Sequence, residues 1–114
     1  MAGNMRDIPF IECIASRALV LQRPDGSKVP VTLEIGRPMP VPQYKIPSAC
    51  PFRVTGLDGE EKLYAVGADS VQALQLAMDG IAAWLVATAA RYGGKFADPN
   101  GAATLAEQTA AVRK

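Results

Sequence analysis

Val66-Gly67-Ala68-Asp69-Ser70-Val71-Gln72-Ala73-Leu74-Gln75-Leu76-Ala77 decides the architecture of this chain. The stretch ends a strand, turns on a glycine and opens a long apolar helix. Asp69 suits the N-cap, because its short carboxylate can accept from an orphan backbone N–H of the first turn. Gln72, three residues on, completes a capping-box arrangement. The helix is expected from about Ser70 to Tyr92, where Gly93-Gly94 ends it, since glycine tolerates the left-handed cap conformation. Val71, Leu74, Met78, Ile81 and Leu85 recur at helical spacing and are expected to form its core stripe, flanked by Ala73, Ala77, Trp84 and Thr88. The outer stripe is Gln72, Gln75, Asp79, Ala83, Val86 and Ala90. Its first half is polar and its second half is not. Ala83, Val86 and Ala90 are therefore candidate interface residues, because contiguous exposed apolar area marks association surfaces.

Upstream of the helix the pattern has period two. Phe10 to Leu21 is rich in Ile, Val and Leu and reads as one long or broken strand. Arg23-Pro24-Asp25-Gly26-Ser27 is a turn signal, with proline fixing φ and Asp-Gly tolerating positive φ. Lys28 to Gly36 alternates, with Val29, Val31, Leu33 and Ile35 on one side. Pro30 lacks an N–H, which places this strand at an edge or leaves Pro30 on an unpaired side. Five prolines between Arg37 and Pro51 predict a stiff, extended loop of a length often tied to function. Phe52 to Leu57 and Lys62 to Val66 supply two more strands around the Asp58-Gly59 turn. The expected fold is α+β: a four-stranded, mainly antiparallel sheet with one long C-terminal-half helix across one face. Residues 1–114 form a single domain with an ordered core over about 8–94; 95–114 is a tail or short helix, and Met1 to Asp7 is a flexible lead-in.

Composition narrows the function. The chain has 114 residues and a formal net charge of +1. A domain of this size buries roughly two-thirds of its unfolded surface and needs no staples. Near-neutrality and the lack of a basic groove with interleaved aromatics argue against a nucleic-acid partner. Two cysteines, Cys13 and Cys50, do not make a secreted disulfide framework. No signal-like segment opens the sequence, and the charge-free run Gly80 to Ala90 is too short to span a bilayer. A cytoplasmic protein with no membrane contact is expected.

No catalytic constellation emerges. The chain has no histidine, which removes a Cys-His pair from consideration. Cys50 reads as a small buried hydrophobe at a strand start. Asp58, Glu60, Glu61 and Asp79 read as solvated carboxylates, and Trp84 as a core or interface residue. Asp69, Ser70 and Gln72 form a candidate weak binding site at a helix N-terminus, where backbone N–H groups favour anions. Capping accounts for the same residues and spacing. No metal site and no cofactor are expected.

Ala49-Cys50-Pro51-Phe52-Arg53-Val54-Thr55-Gly56-Leu57, followed by Tyr64-Ala65-Val66-Gly67-Ala68-Asp69-Ser70-Val71-Gln72-Ala73-Leu74, resembles a family of small bacterial proteins known only as a domain of unknown function. The shared pattern is Cys-Pro-aromatic, then Gly-Leu, then Gly-x-Asp-Ser-x-Gln-Ala-Leu at a helix start. Pro24-Asp25-Gly26 and Ile35-Gly36-Arg37-Pro38 are also similar, so the resemblance spans about Ser16 to Leu85. It implies no activity. The expected function is a non-enzymatic protein-interaction module, working as a homodimer or with another protein, of an immunity- or antitoxin-like kind by analogy of size and fold. The alternative is a small-molecule binding protein with the Pro-rich loop over a pocket.

Overall fold

A computed structural model describes residues 8–57 and 59–99. The expected lead-in Met1 to Asp7 and, from residue 100 on, the expected tail or short helix lie outside these residues. The observed order is β1 (Cys13–Gln22), β2 (Lys28–Gly36), β3 (Met39–Val41), a 3-10 turn (Pro42–Tyr44), β4 (Ile46–Thr55), β5 (Glu60–Gly67), α1 (Ser70–Tyr92) and β6 (Lys95–Ala97).

The fold is α+β, but among the described residues the sheet has six antiparallel strands where the sequence pattern expects four. β4 is its hub. β5 runs along one side of β4 from Ser48 to Thr55. On the other side β2 pairs with its C-terminal half, Ile35 facing Phe52, and β3 pairs with its N-terminal half, Met39 facing Ala49. β1 lies beyond β2, and β6 pairs with β1 over Val20–Gln22.

Both additional strands have a physical reason. Proline excludes helix but is compatible with extended backbone at an edge. The Pro-rich segment is thus no free loop: β3 and the start of β4 form a hairpin around Pro42–Tyr44, closed by Lys45 at φ 56°. β6 falls in the segment expected as tail. It is held by tertiary packing, with Phe96 buried among Leu19, Leu21 and Leu85. Pro30 pairs with Val20 of β1 and lies just outside the β2–β4 ladder, which starts at Thr32, with Gly56 close against its backbone.

The β1–β2 turn forms as its residues dictate. Asp25 Oδ1 accepts from Ser27 N–H at 2.8 Å and from Ser27 Oγ–H at 2.6 Å, and these bonds hold its carboxyl below the usual range. At the far end, Gly93 takes the left-handed cap at φ 64°, and Gly94 N–H reaches Ala89 O at 2.9 Å.

α1 covers one sheet face in two zones. Near its N-terminus, buried Ala73 and Ala77 sit on Cys50 and Phe52, with Leu63, Ala65, Leu74 and Ile81 around them. Towards its C-terminus, Leu85 joins Leu19, Leu21, Val31, Leu33, Val54 and Phe96, with Trp84 and Tyr92 alongside. Each fully buried large aliphatic side chain contributes about 1.5–3 kcal/mol. The first zone is a close approach of two backbones: a Cβ on Gly67 would lie 2.4 Å from Ala73 N.

This close approach shifts the expected core stripe. Leu85 is buried and Leu74 and Ile81 pack on the core as expected, but Val71 and Met78 are exposed, and the flanking Ala73 and Ala77 are buried in their place, with Trp84 partly buried beside Leu85. Large residues at 71 and 78 would hold the helix off the sheet at the place where Gly67 and the alanines let it down.

The opposite face is partly covered as well. Ile8 is buried against Val41 and Ala49, with Ile46 and Tyr64 beside them. Phe10 lies under the Arg53 guanidinium at 4.1 Å, and Arg53 Nε–H donates to Glu34 Oε1 at 2.7 Å. That bond is the main reason the Glu34 carboxyl lies below its ordinary range.

Candidate functional site

The candidate site starts with the residues that set α1. Asp69 Oδ1 accepts from Gln72 N–H at 2.8 Å, and Gln72 Oε1 accepts from Ala68 N–H at 2.6 Å. Ala73 N–H closes the first turn on Asp69 O at 3.0 Å. Asp69 Oδ1 and Gln72 Oε1 are thus engaged within the cap, and Ser70 is the exposed first residue of the helix. The arrangement is structural at these atoms: it satisfies N–H groups that a helix start leaves unpaired.

Ala83, Val86 and Ala90 are all exposed on α1. At 100° per residue they lie on the side turned away from the sheet. Residues expected in the core join them. Val86 is 69% exposed, Val71 63% and Met78 56%, and Leu76 is exposed too. Val71 and Met78 fall on one stripe with half-buried Ala82, with Val86 beside it, while Ala89 further along packs on the core. The only charged residues of α1 are Asp79 and Arg91. By length and composition α1 is also long and apolar enough to cross a membrane, which counting only Gly80 to Ala90 did not reveal.

A second feature escapes sequence reasoning. A cleft of about 310 Å³ lies between the C-terminal half of α1 and the β4–β5 turn. Val54 and Leu57 form its apolar part; Glu60 and Glu61 come from β5, and Trp84, Thr88, Arg91 and Tyr92 from α1. Trp84 Nε1–H donates to Glu61 Oε2 at 3.1 Å, while its ring meets Phe96 at 6.0 Å between centroids. Tyr92 carries Arg23 at 5.2 Å and Arg91 at 5.6 Å from its ring centre. None of residues 37–51 lines this cleft, so the Pro-rich segment is not its cover. Trp84, Thr88 and Arg91 stand at successive helical spacings, the one signal in the sequence that they share a side.

The thiols stand apart. Cys50 is buried, its Sγ–H donates to Gly36 O at 3.5 Å, and burial raises its pKa, which suppresses the thiolate a nucleophile needs. Cys13 is exposed on β1. Glu60 and Glu61 are exposed on β5, Asp79 is exposed on α1, and Asp58 lies outside the described residues.

No curated protein and no solved structure matches this chain. A family described as Domain of unknown function (DUF6968) matches residues 15–103, a span that takes in the β1–β2 hairpin, the sheet and all of α1, and the chain belongs to that family.

Proposed function

We propose that the chain is a non-catalytic protein-interaction module that receives its partner on the outer face of α1. The observation that carries this reading is the exposure of Val71, Met78 and Val86 on a helix whose other side already covers the sheet. Burying each such side chain against a partner is favourable by about 1.5–3 kcal/mol at full burial, and the alanines between them let a second surface approach. The partner is another protein or a second copy of the chain. A small neutralising module of an immunity- or antitoxin-like kind fits this surface, in a bacterium as the motif resemblance implies and in its cytoplasm as the cysteine usage suggests. Neither nucleic acid nor a bilayer is part of the reading.

A photo-crosslinking side chain at position 86, tested in cells, should give a discrete adduct whose mass distinguishes a second copy from another protein. Val86→Glu should remove the association with the fold intact. No adduct, together with flotation of the purified protein on lipid vesicles, would replace the protein partner by a membrane.

The cleft beside Trp84 supports a second reading, a small-molecule binding protein. It joins two aromatic side chains to Glu60, Glu61 and Arg91 around an apolar floor. Trp84 is the single tryptophan of the chain, so its emission reports on this cleft directly. A library of small polar metabolites that leaves the emission unchanged at millimolar concentration would end this reading.

A further inference from the structure

The cleft between α1 and the β4–β5 turn is lined by opposite charges that do not pair with each other. Glu61 stands opposite Val54 in the β4–β5 ladder, so it shares the sheet face that α1 covers. Its Oε2 accepts from Trp84 Nε1–H at 3.1 Å, and its Oε1 has no protein donor among the described residues. Glu60 lines the same cleft and lies 3.7 Å from the Lys62 ammonium.

Arg91 follows Trp84 by two helical turns. Its guanidinium lies 5.6 Å from the Tyr92 ring centre, and that of Arg23 lies 5.2 Å from the same ring. Among the described residues neither arginine has a carboxylate within ion-pair distance, and Arg23 Nε is buried with no acceptor. Stacking on an aromatic ring engages the face of a guanidinium and leaves its in-plane N–H donors available. The Arg91 donors have no protein acceptor. A carboxylate and a guanidinium in one cavity ordinarily form a bidentate pair. Here the seven residues from Trp84, which holds Glu61, to Arg91 cover about 10 Å along the helix axis. With a contact of about 3 Å at each end, that separation suits a molecule whose own charges stand several bonds apart.

We propose that this cleft binds a small ω-amino acid, with an ammonium at one end, a carboxylate at the other and a short run of methylenes between them. The ammonium meets Glu61 beside the Trp84 ring, which attracts a cation to its face. The carboxylate takes the free donors of Arg91, with the Thr88 hydroxyl on the same wall. The methylenes lie on Val54 and Leu57, the apolar part of the lining. A simple anion would be repelled by Glu61 and a simple cation by Arg91, so both charges are needed. A volume of about 310 Å³ accommodates a ligand of this size. Glu61 and Arg91 are exposed, and solvent screens their pull, so the dissociation constant is on the order of 1 mM. This assignment rests on the small-molecule reading of the cleft and takes no residue from the outer α1 face.

The test titrates the purified chain with glycine, γ-aminobutyrate and ε-aminohexanoate, and with butyrate and butylammonium as probes of one charge each. Trp84 emission and the NMR signal of its indole N–H report occupancy. γ-Aminobutyrate should move both signals and bind about fivefold more tightly than glycine, butyrate or butylammonium. Arg91→Gln should weaken γ-aminobutyrate by about the same factor and leave butylammonium unchanged. Glu61→Gln keeps an acceptor for the indole; it should weaken γ-aminobutyrate and butylammonium and leave butyrate no weaker. Both positions are exposed, so thermal unfolding should be unchanged in either variant. Equal binding of γ-aminobutyrate and a probe of one charge would overturn the amino-acid assignment and leave the small-molecule reading standing. So would an Arg91→Gln variant that binds γ-aminobutyrate as the unmodified chain does, or a silent indole with these probes when another class in the metabolite library moves it. An indole silent to the probes and to the whole library would remove both.

Discussion

Replacing Leu85 by alanine tests how α1 is rotated on the sheet. Leu85 is 7% exposed and packs with Leu19, Leu21, Val31, Leu33, Val54 and Phe96. Leu→Ala removes three carbons. At about 0.8 kcal/mol per buried carbon the transfer part is about 2.4 kcal/mol. The rigid strands beneath close the space only partly, and a residual cavity brings the total to about 3 kcal/mol, within the 2–5 kcal/mol typical of such sites. Met78→Ala is the matched control, because the hydrophobic spacing of the sequence puts Met78 in the core and the structure leaves it 56% exposed. It should change stability by no more than about 0.5 kcal/mol. Urea melts followed by far-UV circular dichroism separate the two. With a slope of about 1.5 kcal/mol per molar, the Leu85→Ala midpoint falls by about 2 M and that of Met78→Ala barely moves. A loss of 2 kcal/mol or more for Met78→Ala would refute the rotation and return Met78 to the core beside Leu85, and a loss of less than 1 for Leu85→Ala would contradict its burial.

Asp69→Ala should cost about 1 kcal/mol in the same assay, through loss of the acceptor for Gln72 N–H; an unchanged midpoint would show the cap to be dispensable. In native protein a thiol reagent should modify Cys13 alone and reach Cys50 only on unfolding, so two fast-reacting thiols before denaturation would contradict the burial of Cys50. Glu34, its pKa lowered by Arg53, contributes stability that is complete above the ordinary glutamate pKa and is lost as pH falls through the lowered one. Glu34→Gln should accordingly be less acid-sensitive than the unmodified chain between neutral pH and the acid limb, and identical acid limbs in the two proteins would remove that ion pair from the account.

Much of the fold is legible where short-range physics decides. The Pro24-Asp25-Gly26 turn, the alternation of Lys28 to Gly36, the Asp69–Gln72 cap and the Gly93 stop each depend on neighbours within a few residues, and each forms where its residues predict. Tertiary structure alone decided the rest. Three residues of weak local preference, Lys95–Ala97, become a strand because Phe96 finds a buried place against Leu19 and Leu21. The Pro-rich segment becomes a hairpin because β4 extends past β2 and offers β3 an open flank. Hydrophobic periodicity identified α1 as a helix, but not which apolar side faces inward, because Val, Leu, Met and Ala occur around most of its circumference. That choice fell to distance. Gly67, Ala73 and Ala77 bring helix and sheet closer than Val71 or Met78 would permit, and the larger side chains were left on the outside, where the candidate interaction surface lies.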